Sequence, residues 1–358
     1  MASETFVIAG GGTGGHLYPG IAIAEELAAR RRGVEVVFAG AGTELERRIL
    51  SAHGYRLIAI ASGGVVGKSL AGRARGLARA VGGYVQSIRE LVKMKPKAVI
   101  GVGGYASGPM VMAAVTLRLP SLIHEQNYRP GLTNRMLAPW VRKVAVSFDE
   151  TKHSFGGRGE LSGNPIRAGF RGARRRTRGN TFNVLIFGGS QGARALNGAV
   201  IDALPRLVES RLGLRFTHGT GQADFERVSA AYQALGFEAA VAPYITAIRE
   251  AYEWADLVIS RAGASSVSEI AACGKASILV PLPTAAHDHQ RFNARKLSDS
   301  GAAILMDEPA LTGEALAREI LALRGDPTRV MAMERSAATL ARPDAAARIV
   351  DMIEEMLA

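Results

Sequence analysis

Two kinds of segment alternate along this chain: short apolar runs rich in β-branched residues, and longer runs whose apolar residues recur every three or four positions. The short runs predict buried strands, and the longer runs predict amphipathic helices. In the first half, strands are predicted over 6–10, 34–39, 55–61, 98–101, 121–124 and 143–147. The helices predicted with them span 19–31, 44–52, 71–93, 108–117 and 132–138.

The second half begins the same alternation afresh. Its predicted strands span 183–187, 215–218, 238–242, 257–260, 277–280 and 302–305. Its predicted helices span 193–209, 224–234, 247–254, 266–272 and 290–299, with further helices up to Leu357. This order predicts an α/β protein whose parallel sheets carry helices on both faces. Because the order runs twice, we expect two doubly wound domains, with ligands at the carboxyl ends of the strands and in the cleft between the domains.

Length and cysteine content fit this picture. The 358 residues exceed one ordinary core and suit two domains. The single cysteine, Cys273, excludes an internal disulfide, and its apolar helical setting favours a packing role over a catalytic thiol. We expect no signal peptide, and no apolar run reaches the roughly 20 residues that span a bilayer.

The charge is strongly basic and unevenly distributed. The formal net charge is +12. Residues 1–163 hold 21 lysines and arginines against 11 acidic residues, whereas residues 164–358 hold 23 against 21. A nucleic acid, an anionic membrane or an anionic substrate could each explain a basic first half, as could a merely solvated surface. The aperiodic basic stretch 171–180 is read as an exposed connection inside the second domain.

Three glycine-rich turns follow predicted strands, at 9–16, 101–109 and 188–193. The first has the Gly-x-Gly-x-x-Gly spacing, but the second strand does not end in the acidic residue that a dinucleotide ribose needs. His16 stands where a Walker loop carries lysine. What remains is phosphate binding by backbone N–H groups at a helix N-terminus. A tight structural turn explains any one of them equally well, but three such turns favour two phosphorylated ligands.

Polar clusters follow other strands. Asn127, in the polar run 124–127, could hold a sugar hydroxyl or belong to a solvated loop. Arg167 could reach a diphosphate from the junction between the domains. Glu269 could accept two ribose hydroxyls or simply complement a helix dipole. In the run 287–293, the two histidines are only two residues apart, which disfavours a metal site and favours sugar binding by Asp288 and Gln290.

Taken in order, these motifs resemble the MurG family, bacterial glycosyltransferases that add N-acetylglucosamine to lipid I to make lipid II in peptidoglycan synthesis. The matching segments are 11–16, 103–109, 124–127, 163–167, 188–193, 260–264 with Glu269, and 288–290 with 293–294. The resemblance implies a GT-B fold of two Rossmann-like domains with a cleft between them. It implies an acceptor domain over 1–163, joined by a C-terminal helix at 343–358, and a UDP-N-acetylglucosamine domain over 164–342.

The resemblance also implies which residues touch the substrates. Those assigned to the donor are Ser190 for a phosphate, the backbone of Ile245 for uracil, Glu269 for the ribose, Ala264 and Gln290 for sugar hydroxyls, and Ser265, Ser266, Val267 and Ser268 as further substrate contacts. The resemblance assigns Asn127 to a sugar hydroxyl and Arg167 to the pyrophosphate charge. It assigns close approach to the bound substrates to Thr13, Gly14 and Gly15. The Ser265–Ser266 pair departs from the bulkier residue and threonine of many relatives, which blurs the donor contacts there.

The family inverts the anomeric centre, which requires a base for the acceptor hydroxyl. His16 is the candidate, because the positive end of a helix dipole disfavours imidazolium and keeps the ring neutral. The alternative is that His16 only hydrogen-bonds the acceptor. The third glycine-rich turn and Arg167 could stabilise departing UDP, so neither metal nor cofactor is expected.

The stretch 62–79 mixes apolar and cationic residues, which suits docking on an anionic bilayer. The resemblance implies that this bilayer is the inner membrane, at its cytoplasmic face, because lipid I lies there. An amphipathic core helix with a basic exposed face is almost as good a reading. Within enzymes, the alternatives are a glycolipid synthase or a UDP-N-acetylglucosamine 2-epimerase. A nucleic-acid-binding protein is disfavoured, because no basic motif interleaved with aromatic residues is visible.

Overall fold

The computed structural model describes residues 4–62, 70–170, 180–189 and 192–358. Residues 63–69 of the predicted membrane stretch, most of the basic connection, and Ser190 lie outside these residues. Contacts divide the chain into two compact units. The first comprises Met1–Ala168 with Pro343–Ala358, and the second comprises Gly169–Arg342.

The first unit alternates strands and helices, as the periodicity predicts. Its strands are β1 (Glu4–Ala9), β2 (Val34–Gly40), β3 (Arg56–Ala59), β4 (Ala98–Gly101), β5 (Ser121–Glu125), β6 (Lys143–Val146) and β7 (Gly159–Leu161). The α-helices of this unit that precede the second unit in the sequence are α1 (Gly14–Arg30), α2 (Glu44–Ala52), α3 (Leu70–Met94), α4 (Ser107–Thr116) and α5 (Leu132–Leu137). The edge strand β7 was not predicted, because three residues with one apolar side chain carry no periodicity.

The start of α1 differs from the prediction, which placed it at residue 19. The helix begins at Gly14, and Pro19 lies inside it. Proline is favoured in the first turn of a helix, so its position suggested a later start. The earlier start matters, because it places His16 in the first helical turn, directly after the glycine-rich segment.

The strands of the first unit form one parallel sheet in the order β3-β2-β1-β4-β5-β6-β7. Successive side chains of β1 point to opposite faces, as strand geometry requires. Phe6 and Ile8 join one buried cluster, whereas Val7 and Ala9 join the other. Both faces are therefore apolar and covered, which explains the continuous hydrophobic runs in the sequence.

The C-terminal helix α13 (Ala345–Leu357) belongs to the first unit. Ile349 and Ile353 are fully buried in the same cluster as Phe6 and Ile8. Arg30 at the end of α1 pairs with Asp351 and Glu354 of α13. The apolar stripe of this amphipathic helix thus completes one face of the first core.

The second unit repeats the architecture. Its strands are β8 (Phe182–Phe187), β9 (Leu214–Gly219), β10 (Glu238–Ala242), β11 (Leu257–Ser260), β12 (Ala276–Leu279) and β13 (Ala303–Leu305). Its helices are α6 (Arg194–Leu207), α7 (Phe225–Ala234), α8 (Ile248–Trp254), α9 (Ala264–Ala272), α10 (His289–Asp299), α11 (Gly313–Gly325) and α12 (Pro327–Thr339). The sheet is parallel in the order β10-β9-β8-β11-β12-β13.

Candidate functional site

Each sheet reverses its winding at one point, between β1 and β4 in the first unit and between β8 and β11 in the second. In doubly wound sheets this switch point opens a crevice at the carboxyl ends of the strands, where ligands bind. The glycine-rich turns predicted from the sequence follow β1, β4 and β8, and the 260–264 segment lies at the end of β11. All four therefore border a switch point, which is a topological reason to regard them as ligand sites.

In the first glycine-rich turn, backbone N–H groups that the sequence suggested were open already donate hydrogen bonds within the protein. The N–H of Gly12 donates to Oε1 of Glu46 at 2.7 Å, and the N–H of His16 donates to the Thr13 carbonyl at 3.2 Å. Gly12 has a φ of +83°, a conformation that glycine adopts at little cost. The expectation that this whole turn offers open N–H groups to phosphate is wrong for Gly12, because a buried carboxylate already accepts its hydrogen bond.

The contacts of Nδ1 favour one tautomer of the His16 ring. Its Nδ1 lies 3.1 Å from the Gly11 carbonyl oxygen and 3.2 Å from the Thr13 hydroxyl. A carbonyl oxygen can only accept, so Nδ1 carries the proton and donates to Gly11. Nε2 of the neutral ring is then the unprotonated nitrogen. A histidine in this state can take a proton at Nε2, as a general base must.

The second glycine-rich turn approaches the ring of His16. Gly103 has a φ of +90°, and a Cβ built on it would lie 2.7 Å from His16 Cδ2 and 3.4 Å from Gln126 Oε1. Gln126 is buried and donates from Nε2 to the Val102 carbonyl at 2.6 Å. Only a glycine fits between these two side chains, and the turn thereby brings His16 and the 124–127 segment together.

The 124–127 segment is not a solvated loop. His124, Glu125 and Gln126 are buried, and only Asn127 is half-buried. Glu125 accepts hydrogen bonds from the N–H and Nδ2 of Asn127, from the N–H of Gly131 and from Nδ2 of Asn134. Burial raises the pKa of Glu125, and these hydrogen bonds oppose the rise. Glu125 thus fixes the orientation of the Asn127 amide, which the sequence assigned to a sugar hydroxyl.

Arg167 lies over the ring of Tyr18, with its guanidinium carbon 4.4 Å from the ring centroid. Tyr18 belongs to α1 and also lies against Gly14 in the first turn of that helix. The stack holds a permanent positive charge beside the N-terminus of α1. Thr13, Gly14, Gly15 and Arg167 are therefore neighbours in the structure, as an anion-binding group would require.

In the second unit, two side chains of α10 hold the turn that precedes α9. Gln290 Oε1 accepts from the N–H of Ala262 at 3.3 Å and from the N–H of Leu282 at 3.0 Å. Asn293 donates from Nδ2 to the Ala262 carbonyl at 3.2 Å. Because both lone pairs of Oε1 are engaged, the amide group of Gln290 can act on a ligand only through Nε2.

The start of α9 carries the other residues assigned to the donor. Ser265, Ser266 and Ser268 are half-buried, whereas Ala264 and Glu269 are buried. Val267 packs in the protein interior with a relative exposure of 2%, so only its backbone is available to a ligand. Glu269 is the sixth residue of α9, the helix that follows β11.

Ile245 lies over the end of β9. A Cβ on Gly219 would come within 3.1 Å of its Cδ1, so the glycine makes room for the side chain. The segment is tied to the sheet edge by Gly221, whose N–H donates to the Pro243 carbonyl at 3.0 Å. Ser190, the residue assigned to a donor phosphate, lies outside the described part of the third glycine-rich turn.

The sequence missed two buried polar groups near these turns. Glu46 forms a capping box with Thr43 at the start of α2, and it also binds the first glycine-rich turn. In the second unit, His218 donates from Nε2 to Asn197 Oδ1 at 3.1 Å and accepts at Nδ1 from the Tyr232 hydroxyl at 3.3 Å. A histidine within the apolar pattern of β9 was the signal available for that network.

Arg261 is held within the protein, although it stands inside a predicted binding motif. Its Nη1 donates to the carbonyls of Val280 and Pro281, and its Nη2 pairs with Glu308 Oε2 at 2.6 Å. The guanidinium therefore braces the end of β12.

Comparisons with family models and with known proteins point to the same family. The glycosyltransferase family 28 N-terminal domain matches residues 6–146, and the C-terminal domain of the same family matches residues 183–349. A UDP-N-acetylglucosamine–N-acetylmuramyl-(pentapeptide) pyrophosphoryl-undecaprenol N-acetylglucosamine transferase of Geobacter sulfurreducens is 47% identical over 351 residues, 96% of each chain. The Myxococcus xanthus protein of that name is 43% identical over 98% of this chain and 92% of its own.

Solved structures agree. Acinetobacter baumannii MurG superposes with a TM-score of 0.77 at 30% identity, over 99% of this chain and 100% of that one. The UDP-GlcNAc 2-epimerase of Neisseria meningitidis superposes with a TM-score of 0.67 over 98% of this chain and 100% of its own, but at 12% identity it shares the fold alone. The predicted GT-B fold of two Rossmann-like domains is confirmed. The chain therefore belongs to glycosyltransferase family 28, the family of these N-acetylglucosamine transferases.

Proposed function

We propose that this chain is an inverting transferase that moves N-acetylglucosamine from UDP-N-acetylglucosamine to the 4-hydroxyl of the N-acetylmuramyl sugar of lipid I. The product is lipid II, the precursor of peptidoglycan, so the enzyme serves cell-wall growth and through it cell shape and division. Similarity to relatives of this name at 43–47% identity, over nearly their full length, is the observation that carries the proposal.

His16 is the proposed base. The acceptor 4-hydroxyl oxygen attacks the anomeric carbon, and the bond from that carbon to the β-phosphate oxygen breaks with its electron pair leaving on UDP. The hydroxyl proton passes to Nε2 of His16, the nitrogen that the bond from Nδ1 to Gly11 leaves unprotonated. Attack from the face opposite the leaving group converts the α-linked donor into a β-linked product. The reaction as written requires no cofactor.

The first unit is the proposed acceptor domain. Thr13, Gly14, Gly15 and Arg167 lie at the N-terminus of α1, where helix dipole and guanidinium both favour a pyrophosphate. Asn127, oriented by Glu125, is the proposed partner of a sugar hydroxyl.

The second unit is the proposed donor domain. Glu269 would accept the ribose hydroxyls, the backbone of Ile245 would bind uracil, and the third glycine-rich turn with Ser190 would receive a phosphate. The start of α9 and Nε2 of Gln290 would contact the sugar, because Oε1 of Gln290 is engaged by Ala262 and Leu282.

Two exposed apolar stripes in the first unit support docking on a membrane. On α3, Val81, Val85 and Val92 are exposed on the side of the helix that also carries Arg89. At and beyond α5, Leu132, Met136 and Trp140 follow one another at intervals of four residues and are 49%, 63% and 65% exposed. Apolar side chains beside cations suit the headgroup region of an anionic bilayer.

We therefore propose a peripheral protein at the cytoplasmic face of the inner membrane, where lipid I presents its sugar. Among the described helices, none is both long and apolar enough to cross a bilayer. The basic excess of the first half is assigned to anionic lipid, and no nucleic acid partner is proposed.

Incubation with labelled UDP-N-acetylglucosamine and a lipid I analogue tests the function. The expected result is label in a lipid product of one added sugar, with none when the acceptor is omitted. Formation of UDP-N-acetylmannosamine without lipid product would instead indicate an epimerase. Sedimentation with vesicles containing anionic lipid tests the docking surface, with Trp140→Ser and Met136→Ser as variants. Binding to DNA but not to these vesicles would contradict the membrane assignment.

A further inference from the structure

Glu46 is a completely buried carboxylate on α2, and three backbone N–H groups bind it. Oε1 accepts from Gly12 at 2.7 Å and from Ala41 at 3.3 Å, and Oε2 accepts from Thr43 at 2.8 Å. Such charge-assisted bonds offset the cost of burying the carboxylate. The bond to Thr43 caps α2, but the bond to Gly12 reaches a segment 34 residues away and has no part in capping.

The peptide unit between Gly11 and Gly12 links Glu46 to His16. Its N–H, from Gly12, donates to Glu46, and its carbonyl, from Gly11, accepts from Nδ1 of His16 at 3.1 Å. In a trans peptide these two groups point in opposite directions, so carboxylate, peptide and imidazole form one continuous chain of hydrogen bonds. A Cβ at Gly11 would collide with Glu46 Oε1, so this arrangement requires glycine there.

Hydrogen bonds in such a chain strengthen one another. An anion that accepts from the N–H increases the negative charge on the carbonyl oxygen of the same peptide, which then binds the Nδ1 proton more strongly. The stronger bond stabilises the tautomer protonated at Nδ1 and raises the proton affinity of Nε2. We propose that Glu46 is a positioning residue for His16 and acts on its ring through the Gly11–Gly12 peptide. The inference rests on the proposed role of His16 as the base.

Three other groups near His16 oppose its protonation. The N-terminus of α1 is the positive end of the helix dipole, and Arg167 lies over Tyr18 on the same helix. His124 on β5 acts on His16 electrostatically and would repel a second imidazolium. Glu125 is the nearby acid of β5, and its oxygens accept from Asn127, Gly131 and Asn134. Glu46 is the anion whose hydrogen-bond chain ends on the His16 ring.

Two variants separate this role from helix capping. Glu46→Gln keeps the size of the side chain but removes its charge. Thr43→Ala removes the hydroxyl that accepts from the Glu46 N–H at 3.3 Å and leaves the bond between Glu46 and Gly12 intact. The ring of His16 is observed by NMR in protein labelled with ¹⁵N-histidine, and its signals are identified by their loss in His16→Ala.

In Glu46→Gln, the expected results are a lower pKa of the His16 ring, more of the Nε2-protonated tautomer, and a kcat reduced about tenfold with an unchanged dissociation constant for UDP. The loss is smaller than the roughly 10⁴-fold that follows when a carboxylate bonded directly to a catalytic histidine is replaced. Thr43→Ala should change neither ring property. An unchanged ring in Glu46→Gln, or an equal change in Thr43→Ala, would overturn the proposal.

If Glu46→Gln does not fold, Glu46→Asp can be compared with Thr43→Ala instead. The aspartate side chain is one methylene shorter, so its carboxylate does not reach the N–H of Gly12. The NMR readout does not depend on turnover. Failure of this inference is therefore distinct from failure of the base role, which would appear as full turnover in His16→Ala, and from failure of the proposed function, which would appear as no lipid product with the wild type.

Discussion

Oε1 of Gln290 lies 3.3 Å from the backbone nitrogen of Ala262 and accepts its hydrogen bond, so this side chain supports the turn before α9 as well as facing the proposed donor site. The two roles use different atoms of one amide. Gln290→Glu retains an oxygen acceptor for Ala262 and Leu282 but replaces the Nε2 donor with a second acceptor.

We expect Gln290→Glu to raise the KM for UDP-N-acetylglucosamine about tenfold, because one hydrogen bond to the sugar is lost. The urea midpoint of unfolding should stay close to that of the wild type. Gln290→Ala should lower both affinity and stability, because it leaves two backbone N–H groups without their acceptor. Steady-state kinetics and urea unfolding distinguish the two. Equal donor KM in Gln290→Glu and wild type would remove Nε2 from the sugar site.

Arg167 and Tyr18 offer a test of the acceptor site. A guanidinium stacked on an aromatic ring cannot be replaced by an ammonium without losing the planar contact. Arg167→Lys should lower kcat/KM for the lipid I analogue by roughly five- to thirtyfold, equivalent to about 1–2 kcal/mol. Tyr18→Phe keeps the ring and serves as the matched control, with near-normal kinetics. A variant Arg167→Lys with unchanged acceptor kinetics would contradict pyrophosphate binding by this residue.

Glu269→Ala should weaken UDP binding, because a carboxylate that accepts two ribose hydroxyls is lost. The expected change in the dissociation constant is about ten- to a hundredfold, measured by calorimetry. Ala272→Ser, at a half-buried position at the far end of the same helix, shows how much of the change is nonspecific. An unaltered dissociation constant in Glu269→Ala would exclude its ribose role.

Two buried histidines predict sensitivity to acid. Burial lowers the pKa of His124 to about 4 and that of His218 to about 3. The folded protein thus keeps both rings neutral, whereas the unfolded chain binds protons below about pH 6.5. Stability should therefore fall as the pH drops from about 6.5 towards 4, by about 2 kcal/mol per histidine at pH 5.

The measurement is urea unfolding at pH 7 and pH 5. His218→Gln should reduce the difference between the two pH values, since it removes one of the groups that titrate only on unfolding. Glu125 acts in the opposite sense, because its raised pKa favours the protonated folded form at low pH, so the comparison with the variant isolates the histidine. A difference between pH 7 and pH 5 that His218→Gln leaves unchanged would contradict the assignment.

The sequence predicted the site at the level of segments, and for a physical reason. Turns such as 101–109 and 188–193 are visible because glycine is needed where backbones approach closely, and their places after strands put them at the switch points of the sheets. The predicted start of α1 at residue 19 was wrong, because proline is common in the first turn of a helix but Pro19 lies inside this one.

What the sequence could not supply are contacts between distant residues. The bond between Glu46 and Gly12 joins positions 34 residues apart, a separation that no local sequence pattern reveals. Likewise, the orientation of the Gln290 amide depends on Ala262 and Leu282, which only the folded chain brings within reach.

Sugar transfer with His16 as the base is the activity on which the other site assignments depend. Its most direct test is the rate of transfer of labelled N-acetylglucosamine to a lipid I analogue by the wild type and by His16→Ala, with the UDP dissociation constant of each measured in parallel. We expect a β-linked lipid product and a kcat about 10²- to 10⁴-fold lower in His16→Ala, at an unchanged dissociation constant. Absence of a lipid product with the wild type, or equal kcat in the two proteins, would contradict it.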